Sequence, residues 1–305
     1  MKKYVIVGTG GTGGAIGGYL AKAGKNVTFI ARGDNLKAMK EKGLRIIRPK
    51  DEFVIDPVKA CELKDYKDKA DVIFVCVKGY SLDSIIPDLK RIADEDTIII
   101  PILNIFGTGG RLQEHFPETL VTDGCIYVAS QIKEPGCIQM NGDILRVVFG
   151  VRDESDYREE LKEIEADLNE GGIEGILSDN ISRDALLKFS YVSPQGACGL
   201  YYDVPAGDIQ KKGEIRDCFI ELVSEVCSIG IAMGLEFGPD VVDRNLAILD
   251  SLAAPTTTSL QRDIMAGRQS EVDGLIYEVV RLGEKYGVQV PMYKEVAQML
   301  KEKGL

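Results

Sequence analysis

Lys188 is the one charged side chain between Ala185 and Tyr202, in the run ALLKFSYVSPQGACGLYY. At helical spacing it shares a stripe with Ile181, Ala185 and Val192, so its ammonium either snorkels to water or lines a cleft where burial lowers its pKa. Pro194 is expected to kink or end this helix soon afterwards. Glu271 raises a similar question. Ser270 is placed to cap a helix whose apolar face is Val272, Leu275, Ile276, Val279 and Leu282, which sets Glu271 in the first turn at the border of that face. Such a carboxylate either serves the helix dipole or joins the inward-facing lysine in a polar cluster at a domain interface, where small-molecule sites tend to lie. His115 is the only histidine, so His-based zinc sites and Ser-His-Asp hydrolysis would both have to pass through it. It falls at the end of a helix in RLQEHFP, where a solvated imidazole near the C-terminal dipole accounts for it. If the chain is an enzyme, its proton donor is not histidine.

A second group of residues is suited to holding phosphate. Tyr4-Val5-Ile6-Val7 reads as a strand, the glycine-rich turn Gly8-Thr9-Gly10-Gly11-Thr12-Gly13 follows, and Ala15-Ile16 to Leu20-Ala21 has helical spacing ending at Gly24. Gly8, Gly10 and Gly13 match the dinucleotide fingerprint: one permits the turn, the next lets a pyrophosphate approach the backbone, and the third lets helix and strand pack closely. Bare N–H groups at the helix start would face the phosphates. The next strand, Asn26 to Ala31, ends not in an acidic residue for a ribose hydroxyl but in Arg32-Gly33-Asp34-Asn35. A guanidinium there favours a ribose 2′-phosphate, hence NADP(H), over a merely solvated arginine.

These residues need elements to carry them. Val72-Ile73-Phe74-Val75-Cys76-Val77 ends at Lys78, and Thr97-Ile98-Ile99-Ile100 to Leu103 ends at Asn104. Apolar runs without alternation suit parallel strands covered on both faces, and ligands of such sheets sit beyond the carboxyl ends, where Gly8, Arg32, Lys78 and Asn104 fall. Leu44 to Ile47 and Phe53 to Ile55 read as edge strands of that sheet. Leu120 to Phe149 is a strand-and-turn region whose hairpin signals are Glu134-Pro135-Gly136 and Asn141-Gly142-Asp143. Helical periodicity dominates beyond Asp179. The expectation is an α/β N-terminal Rossmann-type domain with a mainly parallel sheet, residues 1–178, and an all-α C-terminal domain, residues 179–305.

Composition narrows the class. The chain has 305 residues, 45% of them hydrophobic, and a formal charge of −11 without a basic patch, which argues against nucleic-acid or anionic-membrane partners. No apolar segment approaches a membrane span, and no signal-peptide pattern precedes the first strand. Seven cysteines without paired spacing read as idle thiols of a reducing compartment, so the cytoplasm is the expected location, and no metal site is expected.

Taken together, these motifs resemble the ketopantoate reductase (2-dehydropantoate 2-reductase) family: GTGGTG at the start, Arg32 after the second strand, VCVKGY around Lys78, LN at Leu103-Asn104, EPG at Glu134 to Gly136, ALLKFSY around Lys188 and TSLQRDIMAGRQSEVD from Thr258 to Asp273. The resemblance implies NADPH-dependent reduction of a 2-keto acid, 2-dehydropantoate, to a 2-hydroxy acid in a cleft between two domains. By its residue matches, Lys188 is the catalytic proton donor and Glu271 the acid contacting substrate and cofactor. Ser259 meets the substrate carboxylate, Asn104 meets nicotinamide and substrate, and Ser130 falls near a cofactor contact. Val192, Gly196, Ala206 and Thr256 stand where the family often has asparagine, and Ile105-Phe106 follows Asn104 where it usually has glycine. A related 2-keto acid or aldehyde therefore stays open as substrate, as does a silent NADP-binding protein. The sequence leaves the oligomeric state open, a homodimer included.

Overall fold

One glycine-rich helix lies between two sheets in the first of two units of this computed structural model, which describes all 305 residues. The units are Met1–Leu103 with Gly107–Ile181, and Asn104–Phe106 with Ser182–Leu305. In the first, β1 (Lys3–Val7), α1 (Gly11–Lys22), β2 (Asn26–Ile30), α2 (Gly33–Lys42), β3 (Leu44–Ile47), β4 (Glu52–Ile55), β5 (Ala60–Cys61), β6 (Val72–Val75), α3 (Leu82–Ile92) and β7 (Ile98–Pro101) come first. They are followed by α4 (Thr108–Gln113), β8 (Leu120–Val121), β9 (Asp123–Glu134), β10 (Cys137–Gly150), α5 (Glu160–Glu170) and β11 (Glu174–Leu177).

Six strands make a parallel sheet in the order β5-β2-β1-β6-β7-β8. The apolar runs in β6 and β7 are buried on every residue because both faces are covered. Along β1, Tyr4 and Ile6 enter one core while Val5 and Val7 enter another. A Cβ at Gly17 would collide with Phe29 and Ile6 of the parallel sheet, and one at Gly18 with Ile46 of β3. Helix-interior glycine costs roughly 0.5–1 kcal/mol relative to alanine. Here it lets α1 press on both sheets.

The second sheet corrects two expectations. β3 and β4 are not edges of the parallel sheet; with β9, β10 and β11 they form a separate five-stranded one, β3 pairing in parallel with β10. The β9–β10 turn falls at Pro135-Gly136, where Gly136 has φ +76°. Asn141-Gly142-Asp143 is instead a bulge within β10: pairing stops at Met140–Ser130 and resumes at Leu145–Val128.

The second unit is helical: α6 (Ile181–Tyr201), α7 (Ala206–Ile209), α8 (Glu214–Ala232), α9 (Val241–Asp250), α10 (Ser259–Met265), α11 (Glu278–Tyr286) and α12 (Pro291–Glu302). Leu186, Phe219, Leu222, Ile276, Val279 and Tyr293 centre its core. Of the two outcomes expected at Pro194, an end does not occur: α6 continues to Tyr201. A proline removes the N–H that would bond the carbonyl four residues back. That carbonyl, of Ser190, is taken by Asn245 Nδ2 of α9 at 3.0 Å, so no acceptor is orphaned. No helix is long and apolar enough to cross a membrane.

Candidate active site

The glycine turn forms where β1 ends. Gly8 has φ +100°, and a Cβ on it would lie 2.9 Å from the backbone of Cys76 and Val77 after β6. Gly13 sits so close to the Gly8 carbonyl and to Ile6 that no side chain fits, which is the close helix–strand approach the fingerprint describes. Thr9 is buried, its N–H and hydroxyl both donating to Ile30 O at 3.1 and 3.0 Å. Gly10 stands at the N-cap of α1 with no side-chain cap, and no acidic residue occupies the first turn. A Cβ on Gly10 would meet nothing within 4 Å, so the space before these amides is open. Burial pushes the Cys76 thiol up, keeping it neutral next to the turn. Uncapped amides, the positive end of a twelve-residue helix and the absence of an opposing carboxylate suit a pyrophosphate.

Arg32 and Lys78 follow the carboxyl ends of β2 and β6, and Ser130 lies within β9. Arg32 is exposed at the N-cap position of α2, with Asp34, also exposed, in the first turn. Lys78 is half-buried, just beyond the carboxyl end of β6. Ser130 on β9 has its carbonyl 2.7 Å from where a Gly11 Cβ would be, and its hydroxyl is buried with no hydrogen-bond partner. An unpaired buried hydroxyl costs about 1–3 kcal/mol. A ligand group over α1 would remove that cost, so these residues fit a bound dinucleotide.

The helical unit assembles the second locale. Lys188 is half-buried on α6, and its Nζ donates to Asn104 Oδ1 at 2.7 Å. A neutral acceptor orients the ammonium without neutralising it. Asn104 is the first of three residues that the chain contributes to this unit on leaving the parallel sheet. Its neighbours hold it in place: Phe106 packs on Phe189 with ring centroids 6.2 Å apart, and Ile105 occupies the volume a side chain at Gly274 would need. Gly274 lies in a π-helical turn, Asp273–Tyr277, that runs into α11. Ser193 of α6 donates to Leu275 O of that turn at 2.5 Å.

Glu271 is buried (6% exposed) and differs from expectation in one respect: the helix starts at Val272, and the Glu271 carbonyl accepts from Leu275 N at 3.0 Å. It is therefore the N-cap residue rather than a first-turn residue, because the expected cap, Ser270, lies one position too early. The apolar face read from the sequence is buried throughout. Ser259 opens α10, which Thr258 and Gln261 start with a capping box. The spacing T-x-x-Q was a sequence signal for that boundary. α10 packs on α6, with Leu260 3.2 Å from where a Gly196 Cβ would be. Asn35 and Asn245, which satisfy backbone groups on other elements, had no signature in sequence.

Comparison with known proteins covers nearly the whole chain. Residues 4–154 match the family model described as ketopantoate reductase PanE/ApbA, and residues 180–304 match the C-terminal model of the same family. An oxidoreductase of Bacillus subtilis, YkpB, without a characterised activity, is 26% identical over 296 residues, 96% of each chain. A 2-dehydropantoate 2-reductase of Pyrococcus horikoshii is 25% identical over 296 residues, 96% of this chain and 94% of that one. The fold matches the crystal structure of a 2-dehydropantoate 2-reductase from Geobacter metallireducens with a TM-score of 0.90 at 22% identity, covering 99% of both chains.

Proposed function

The chain belongs to the ketopantoate reductase PanE/ApbA family, oxidoreductases of the CH–OH/C=O couple, and on that premise we propose that it reduces 2-dehydropantoate to pantoate with NADPH, Lys188 giving the proton. The observation that carries this reading is the 2.7 Å bond from Lys188 Nζ to Asn104 Oδ1.

With the dinucleotide's pyrophosphate at the glycine turn, its reduced nicotinamide would supply a hydride to the keto carbon. The chain's own residues do the rest. The amides of Gly10 to Gly13 would hold the pyrophosphate and the Arg32 guanidinium the ribose 2′-phosphate, with Gly8, Thr9, Lys78 and Ser130 completing the cofactor site. Asn104 orients the Lys188 ammonium, which stabilises the oxygen as it becomes an alkoxide and passes it one proton, leaving a neutral amine that solvent reprotonates. Ser259 and Glu271 are assigned as substrate contacts, and Glu271 as a cofactor contact as well. A positioned acid of this kind contributes about 10²–10⁴-fold.

Val192, one helical turn beyond Lys188, and Gly196, against Leu260, favour a second reading, in which the preferred 2-keto acid has a less polar chain than 2-dehydropantoate. The test for both is a steady-state assay with NADPH deuterated at the transferable position and a panel of 2-keto acids. Pantoate carrying one deuterium at C2 supports the first reading, and better turnover of alkyl 2-keto acids supports the second. NADPH binding without turnover of any 2-keto acid would refute both.

A further inference from the structure

Asn35 lies in the first turn of α2, three residues beyond Arg32, and its carboxamide joins two separate loops. Nδ2 donates to Thr9 O at 2.9 Å, and Oδ1 accepts from Gly136 N at 2.8 Å. A carbonyl on one side and an N–H on the other admit only one amide orientation. The Thr9 carbonyl belongs to the glycine turn, whose Gly8 and Thr9 amides both donate to Ile30 O at the end of β2. The turn is therefore bonded to the strand end and helix start that flank Arg32. Gly136 belongs to the β9–β10 turn and passes the connection on, its carbonyl accepting from Arg45 N of β3 at 2.9 Å. A Cβ on Gly136 would lie 3.1 Å from Ala38 of α2, so that turn rests on the same helix.

We propose that Asn35 is a positioning residue for cofactor selectivity. It fixes the spacing between the turn that receives pyrophosphate and the helix start whose Arg32 receives the ribose 2′-phosphate. The proposal rests on the assignment of Arg32 as the 2′-phosphate contact. Without Asn35, the turn keeps its bonds to Ile30 but loses its tie to α2. Binding of a dinucleotide persists, and the advantage of the 2′-phosphorylated form shrinks.

Calorimetric affinities of the full chain for NADPH and NADH test this in Asn35→Ala, Arg32→Ala, the double variant and Asn35→Asp. In Asn35→Ala the Kd for NADPH is expected to rise about tenfold and that for NADH less than about threefold, so their ratio narrows. In the Arg32→Ala background, adding Asn35→Ala leaves the ratio unchanged, as coupled residues require. Asn35→Asp keeps the acceptor for Gly136 N but turns an oxygen toward Thr9 O, so it narrows the ratio too and serves where the alanine variant does not fold. Equal weakening of both cofactors in Asn35→Ala, further narrowing in the double variant, or wild-type selectivity in Asn35→Asp would each overturn the proposal. An unchanged ratio in Arg32→Ala alone would instead remove its premise.

Discussion

The glycine turn and the Lys188 locale are built from opposite materials. The turn is defined by what is missing: side chains at Gly8, Gly10 and Gly13, and a cap or carboxylate on α1. The Lys188 locale is defined by side chains brought from far along the chain, Asn104 from 84 positions away and the π-helical turn tied to α6 through Ser193 and Leu275. A backbone site is written in a few consecutive residues. A side-chain site is only as well placed as the packing that carries it.

That contrast can be broken or sharpened by substitution. Asn104→Ala should act chiefly on chemistry, lowering kcat about a hundredfold while the NADPH Kd rises no more than about threefold for the lost nicotinamide contact, because it removes the group that orients the ammonium. Steady-state kinetics alongside calorimetry measures the split, and a comparable loss in Kd would blur the distinction. Gly13→Ala should do the converse. Its Cβ collides with the Gly8 carbonyl and Ile6, costing about 1–3 kcal/mol of stability and displacing the turn, so cofactor affinity falls with thermal stability.

Asn245→Ala tests how far the helical locale depends on distant support. It leaves the Ser190 carbonyl without the donor that replaces the missing Pro194 N–H, for a loss of about 1–3 kcal/mol in urea unfolding. A loss within error would mean that α6 tolerates the break unaided.

The smallest effect is one of pH. Glu225 of α8 is buried, and its carboxylate accepts from Met292 N and Tyr293 N at 2.7 and 3.0 Å, holding the start of α12. Burial raises its pKa and the two amides only partly oppose this. The native state then holds the proton more tightly than the unfolded chain. Its contribution to stability is full below the ordinary glutamate range, about 4.3, and is lost as pH rises through the raised native value. Glu225→Gln should flatten that decline in unfolding free energy between mildly acidic and neutral pH. An identical slope in the variant would contradict the assignment.

The same contrast separates what was legible in the sequence from what was not. The strand–turn–helix around Gly8 to Gly13 could be read because steric demands on a backbone select glycine at fixed spacing. The buried runs of β6 and β7 could be read because covering both faces leaves no alternation. β3 and β4 were assigned to the wrong sheet because β10, the strand that joins β3 to its sheet, lies far ahead in the chain, and local pattern does not name partners. Pro194 pointed to a kink or a helix end because the donor that takes the freed Ser190 carbonyl sits 55 residues beyond that serine. Lys188 stood out as a lone charge on an apolar stripe, yet no reading of the sequence paired it with Asn104, 84 positions away.

The central claim, that Lys188 performs chemistry while the glycine turn performs binding, is tested most directly by single-turnover kinetics of Lys188→Ala saturated with NADPH and 2-dehydropantoate. Nicotinamide oxidation should slow by about 10²–10⁴-fold while the calorimetric affinity for NADPH stays within about twofold of wild type. Oxidation at the wild-type rate in that variant would contradict the account.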